Sequence, residues 1–316
     1  MKILQIIPIL VPTKLWAGSH RVVYDISKTL VRKGHNMTVC TSNMVDIKTK
    51  IEMDWESSLE FKLVRIKNAS NYLSSITGLI ITPELNSFLS KHIHDYDLIH
   101  VHEYRTYQNI VVHKFAKNHS VPYILQAHGS LPKIDRRFRK SLYDIAFGYK
   151  ILRDASKCIA LSRVEAEQYR RMGVSEEKIA IIPNGIDLSE YDDLPPKGAF
   201  KKKFNILKDK KIILYLGRIH KIKGIDFLVK AYAYLTKTMN FKDAVLVIAG
   251  PDDRYLKEAQ ELTNSLGVSK HILFTGPLYG RDKLEAYVDS EFYVLPSRYE
   301  TFPVSYTHLT LPTICS

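Results

Sequence analysis

The sequence predicts an α/β fold made of two successive halves, each a parallel sheet wrapped by helices. Three observations carry this. Short apolar runs alternate with helically spaced apolar residues along most of the chain, the pattern of βαβ units. The alternation breaks once, at Pro183-Asn184-Gly185-Ile186-Asp187 and the polar, Pro- and Lys-rich stretch 192–203, and then resumes. That break marks a domain boundary. Finally, 316 residues, 45% hydrophobic and 25% charged, are enough for two ordinary domains.

Residues 2–7 read as the first buried strand. The apolar run from Ile3 to Val11 follows one Lys and is not followed by a small-residue cleavage site, so it is a strand rather than a signal peptide. A helix over 19–32 stops at Gly34. Strands follow over 37–41 and 61–66, a helix over 83–94, and strands over 97–101, 123–126, 157–160 and 179–182. The second series has strands over 212–216, 245–249, 272–275 and 292–295, with helices over 225–236, 255–266 and 283–289. Two Rossmann-like halves with a cleft between them are expected, over 1–185 and 186–304. Ligands in such sheets bind beyond the carboxyl ends of the strands.

The formal net charge is +13, which suits an anionic substrate, an anionic membrane surface or nucleic acid, or simply a solvated lysine-rich surface. The sequence has neither a zinc-finger pattern nor an aromatic–basic segment of the RNA-binding type, so nucleic acid is the weakest of these partners. The three cysteines, Cys40, Cys158 and Cys315, are scattered without metal or disulfide spacing. They point to a reducing, cytoplasmic setting. Arg136, Arg137, Arg139 and Lys140 precede Leu142, Ile145, Ala146 and Phe147 at helical spacing. Two readings stand: an ordinary surface helix with a core face, or a basic amphipathic helix in peripheral contact with an anionic membrane.

The most informative segment is 214–224. Its apolar run ends at Gly217, a cationic turn carries Arg218 and Lys223, and Ile225, Leu228, Val229 and Tyr232 recur at helical spacing. A strand-to-helix corner favours anions. Two cations there, one able to bind in a bidentate manner, suit a diphosphate. A solvated surface turn is the plainer alternative. Asp95-Tyr96-Asp97 spells a metal-binding Asp-x-Asp, but it opens a strand at the end away from the ligand side. No metal is therefore assigned.

Further phrases join this segment: Trp16-Ala17-Gly18-Ser19-His20, Lys33-Gly34-His35, Ile99-His100-Val101-His102, Gln126-Ala127-His128-Gly129, Ala160-Leu161-Ser162, the 182–187 turn, Ala249-Gly250, and Pro296-Ser297 through Glu300-Thr301-Phe302-Pro303. In order and spacing the chain resembles the retaining glycosyltransferases of family four, of two-Rossmann GT-B architecture, over about residues 1–304. The resemblance implies transfer of a hexose from a UDP- or GDP-sugar to a polysaccharide or lipid-linked acceptor. It implies that the nucleotide sugar is a substrate and that no cofactor is needed. It gives Arg218 and Lys223 the donor diphosphate, His128 a contact to the donor sugar, and Glu300 the sugar hydroxyls. Gly18, Gly217 and the backbone of Phe302 and Val304 join the donor site. His100 and His102 stand on the acceptor side or are interior histidines.

The end of the chain departs from the family pattern. His308 stands where the family has a second Glu, and 305–316 lacks helical periodicity and contains Pro312. A foreign tail and an incomplete second domain are expected; a diverged native end is the alternative. Three further readings of the function stand beside transfer: a non-catalytic nucleotide-sugar-binding fragment, a basic membrane- or nucleic-acid-associated protein on a Rossmann scaffold, and a nucleotide-sugar epimerase of the same architecture. The expected location is the cytoplasm, with the inner membrane face as a possible site of contact.

Overall fold

The computed structural model describes residues 1–10, 18–44, 54–134 and 136–300. The chain divides into two compact units, Met1–Gly185 and Ile186–Ser316.

In the first unit the elements run β1 (Lys2–Ile6), α1 (Gly18–Arg32), β2 (Asn36–Ser42), α2 (Asp54–Ser57), β3 (Lys62–Ile66), α3 (Asn71–Thr77), α4 (Glu84–His92), β4 (Leu98–His102), α5 (Tyr107–His119), β5 (Tyr123–Gln126), α6 (Arg137–Tyr143), α7 (Tyr149–Asp154), β6 (Lys157–Ala160), α8 (Arg163–Arg171) and β7 (Ile179–Ile181). The strands form one parallel sheet in the order β3-β2-β1-β4-β5-β6-β7. Helices cover both faces, so β1 buries successive residues, Ile3, Leu4, Gln5 and Ile6, rather than alternate ones. The strand order reverses between β1 and β4, which makes that pair the topological switch point.

The second unit runs α9 (Ala199–Lys203), β8 (Lys211–Leu216), α10 (Ile225–Lys237), β9 (Ala244–Ala249), α11 (Leu256–Ser265), β10 (Ile272–Gly276), α12 (Gly280–Asp289) and β11 (Phe292–Tyr293). Its four parallel strands lie in the order β10-β9-β8-β11, so the switch point falls between β8 and β11.

Two glycines fix the turns at that edge. Gly250 has φ +151°, and a Cβ there would lie 1.8 Å from the carbonyl oxygen of Gly217. The turns after β8 and β9 are therefore in backbone contact. Gly224 has φ +69°, and a Cβ there would lie 2.1 Å from the carbonyl oxygen of Pro296. Both are conformations and approaches that only glycine permits. Gly250→Ala is expected to cost about 2–4 kcal/mol, the range for a strained, overpacked backbone position. An unchanged urea midpoint would contradict this packing.

The structure corrects three sequence expectations. Part of the stretch 192–203 is not linker: Phe200 of α9 is fully buried with Ile212, Leu214 and Val247, and Asp289 accepts the Lys201 N–H at 2.9 Å. The run of three lysines hides that anchor. The strand expected over 292–295 pairs only over Phe292–Tyr293. Finally, Leu142, Ile145, Ala146 and Phe147 do not form a core face; all four are exposed. A π turn, Asp144–Gly148, inserts an extra residue between α6 and α7 and rotates the helical phase. Asp144 turns inward to meet Arg105 (2.9 Å) and Tyr104 (3.0 Å) instead.

Candidate active site

In the second unit, Arg218 and Lys223 follow β8, and Glu300 follows β11, so all three belong to the carboxyl end of the sheet at its switch point. The turn after β8 is tightly built. Gly217 N–H donates to Ala249 (2.9 Å), Ile219 N–H donates to Pro251 (2.8 Å), and the Tyr215 hydroxyl donates to the Arg218 carbonyl (2.7 Å). Lys223 ends a 3-10 turn, Lys221–Lys223, and Gly224 leads into α10. Arg298 ties the β11 loop to this corner. Its guanidinium binds the Lys221 carbonyl and Asp226 and covers the Phe227 ring at 4.1 Å.

Both cations hold a carboxylate. Arg218 pairs with Asp253 at 2.6 Å, and Lys223 pairs with Glu300. Ser297 also donates to the same Glu300 oxygen, at 2.9 Å. The two pairs differ in weight. Arg218 is 57% exposed, and such surface pairs contribute about 0–1 kcal/mol. The guanidinium can exchange Asp253 for another anion at little cost. The side chains of Lys223 and Glu300 are only 16% and 25% exposed, so this pair is the more firmly held. Asp253 was not singled out from the sequence. The signal available was its position just beyond Ala249-Gly250 at a strand end.

In the first unit, the switch point gathers a histidine cluster. His102 Nε2 donates to Gln5 Oε1 on β1 at 2.9 Å, and His102 Nδ1 lies 2.9 Å from His128 Nε2. The rings of His100 and His102 lie 4.0 Å apart, and those of His102 and His128 are stacked at 5.2 Å. With the His102 Nε2 proton on Gln5, a neutral His102 accepts from His128 Nε2–H, which leaves His128 Nδ1 as an acceptor. Burial pushes His20 and His100 down to about 4 and, with the nearby His100 and His20, pushes His128 down to about 3; His102 also falls well below its ordinary value. All four are neutral at pH 7.

The turn that carries His128 is over-determined. His128 has φ +52° and Gly129 has φ +81°. The buried Glu165 carboxylate accepts N–H bonds from Gly129 (2.6 Å) and Leu161 (2.7 Å), and Tyr169 OH accepts the Ala127 N–H at 3.0 Å. Arg105 donates to the carbonyls of Ser130 and Leu131 just beyond. Glu165 and Arg105 went unnoticed in the sequence because their work is to satisfy backbone groups of a distant turn.

Gly18 is the first residue of α1, so its helix end lies beside β1 at the switch point. Phe302 and Val304 lie outside the described residues, as does the tail 305–316. Asp97 accepts the Lys2 N–H at 2.7 Å and Asp95 meets His92 at 3.0 Å. Both therefore serve the amino-terminal edge of the sheet, away from His128. Among the described residues there is no cluster of three or more His, Cys, Asp or Glu suited to a metal ion.

A sequence model of Glycosyltransferase Family 4 matches residues 16–190, and one of Glycosyl transferases group 1 matches 196–308. The chain belongs to glycosyltransferase family 4. It is 26% identical over 307 residues to an uncharacterized glycosyltransferase of Methanocaldococcus jannaschii, covering 93% of this chain and 74% of that protein. It is 22% identical over 310 residues to the D-inositol 3-phosphate glycosyltransferase of Xylanimonas cellulosilytica, covering 90% and 71%. Among solved structures, Anabaena HepE in complex with UDP and glucose superposes with a TM-score of 0.74 at 18% identity, covering 98% of this chain and 78% of that one. Sucrose-phosphate synthase of Thermosynechococcus elongatus superposes with a TM-score of 0.74 at 20% identity, covering 96% and 77%. These likenesses establish the GT-B fold, and the family match makes the protein a glycosyltransferase.

Proposed function

We propose that this glycosyltransferase moves a hexose from a UDP- or GDP-sugar to a saccharide or lipid-linked acceptor, with retention of configuration at the anomeric carbon. The observation that carries the reading is the pair of cations, Arg218 and Lys223, following the central strand at the switch point of the second sheet. When the anomeric C–O bond breaks, its electron pair goes to the diphosphate, and fixed positive charge there lowers the barrier. Arg218 leaves its exposed pairing with Asp253 to meet a phosphate. Lys223, held by Glu300, supplies the second charge, and Glu300 keeps an oxygen for sugar hydroxyls. In the first unit, His128 offers a neutral Nδ1 acceptor to a sugar hydroxyl, and Gly18 gives phosphate access to a helix end. The acceptor oxygen forms the new bond to the anomeric carbon, and its proton leaves on the departing diphosphate. The fold shared with a UDP-and-glucose complex supports this choice of donor.

The test is a transfer assay with radiolabelled UDP- and GDP-hexoses, run with and without EDTA. Labelled product that persists in chelator is the expected result, since the two side chains carry the charge. Interconversion of the donor sugar with no acceptor present would favour an epimerase instead. Activity abolished by EDTA would contradict the charge assignment.

We also propose that the first unit docks on an anionic bilayer at the inner face of the membrane. No helix among the described residues is long and apolar enough to cross one. Phe138, Leu142 and Ile145 are instead 82%, 60% and 72% exposed beside Arg136, Arg137 and Arg139. Arg136 also donates to the Thr77 carbonyl at the end of α3, a helix that exposes Tyr72 and Leu73. Apolar rings and chains flanked by arginines suit anionic lipid. Binding to vesicles with one-third phosphatidylglycerol is expected to fall about fivefold per arginine replaced by glutamine, following the ~1 kcal/mol that each contributes. Equal binding to neutral vesicles would contradict the proposal, as would full binding by F138S/I145S.

A further inference from the structure

The mechanism above leaves one carboxylate unused. Glu103 follows β4 directly, at the switch point of the first sheet. Its backbone is in the left-handed region, φ +67°, as are those of Arg105 (+65°) and His128 (+52°). Three of the eight non-glycine residues with positive φ among those described thus stand at the carboxyl ends of two adjacent strands. Such strain persists only where surrounding structure enforces it, and here the enforcement is visible. Glu103 N–H donates to Gln126 O at 2.9 Å, two residues before His128, and the Glu103 carbonyl accepts from Asn109 Nδ2 at 3.2 Å.

This backbone holds the Glu103 side chain beside the first turn of α1, where Ser19 Oγ donates to Oε1 at 3.2 Å. That is the carboxylate's one hydrogen bond among the described residues, and no cation pairs with it there. Glu165, the buried glutamate of this region, holds one backbone N–H on each carboxylate oxygen. Glu103 is half-buried, keeps free lone pairs, and burial raises its affinity for a proton. A carboxylate so placed accepts hydrogen bonds from hydroxyl groups.

We propose that Glu103 is an acceptor-binding residue: its free oxygen takes a hydrogen bond from a hydroxyl of the saccharide that receives the sugar. This rests on the transferase reading and extends it to the acceptor. Glu103 orients the nucleophile and undergoes no net protonation, since the proton leaves with the diphosphate.

The experiment compares wild type, Glu103→Gln and Ser19→Ala. Acceptor KM and kcat are measured on octyl glucoside, galactoside and mannoside, and binding of UDP and GDP is measured by calorimetry. Loss of a charged hydrogen bond is expected to raise acceptor KM about 10- to 100-fold in Glu103→Gln, with nucleotide affinity and melting temperature unchanged. Ser19→Ala, which removes only the internal bond, is expected to leave acceptor KM within about threefold. If none of the octyl glycosides is turned over, saturation-transfer NMR of the same glycosides reads the same contact, with a weaker signal expected for Glu103→Gln. Equal acceptor KM, or equal NMR signal, in wild type and Glu103→Gln would overturn the proposal. Failure of the wild-type chain to bind UDP or GDP would instead count against the donor site.

Discussion

Arg218→Ala is expected to lower kcat by about 100- to 1,000-fold, the loss that follows removal of one donor from a developing anion. The fold should survive, because Arg218 is half-exposed and its partner Asp253 lies at the surface. Such a pair contributes at most about 1 kcal/mol, so the melting temperature should move by no more than a few degrees. Arg218→Lys should recover part of the rate but not all of it, since an ammonium cannot bind two phosphate oxygens in a fork. Lys223→Ala should behave differently. It removes a phosphate ligand and also strands Glu300, whose carboxylate is three-quarters buried and loses its counter-charge. Both turnover and stability should fall. Initial rates and denaturation curves on the same preparations distinguish the two variants, and full activity in Arg218→Ala would refute its role.

Acidification is expected to destabilise the first unit well above the pH at which its exposed carboxylates titrate. His20, His100, His102 and His128 are all held below their ordinary value by burial. The unfolded chain therefore binds more protons than the folded one between about pH 6.5 and about pH 4. The stability these groups confer is complete above pH 6.5 and drains away as the pH falls through that window, by about 1.4 kcal/mol per pH unit for each histidine. Glu103 and Glu165 act in the opposite sense, because burial raises their affinity for a proton in the fold. The four histidines outnumber the two glutamates, so the net effect of acidification through this window is a loss of stability. Urea midpoints at pH 7.0, 5.5 and 4.5 should fall in that order, and His100→Gln should flatten the slope. A midpoint independent of pH would show that the cluster is not buried and neutral.

The sheet strands were legible because parallel strands buried on both faces read as plain apolar runs, and β5 and β6 were placed to the residue. Helix α5 was not, since its start depends on a reciprocal cap between Thr106 and Asn109 rather than on apolar spacing. The phase of α6 and α7 could not be read either. The π turn that exposes Ile145 and buries Asp144 exists to satisfy Arg105, a partner 39 residues away. At the site, Arg218 and Lys223 stood out as two cations at a strand-to-helix corner, whereas His128 was singled out only by the family resemblance. Asp253, Glu165 and Arg105 act through contacts that only the folded chain brings together.

Calorimetric titration of UDP and GDP into the wild-type chain and into an Arg218→Ala/Lys223→Ala variant tests the central claim most directly. At least one nucleotide diphosphate should bind the wild type, and the double variant should lose about 100-fold or more in affinity, as expected for two charge-assisted phosphate contacts. Equal affinity in the two proteins would mean that the diphosphate is held elsewhere and would contradict the account.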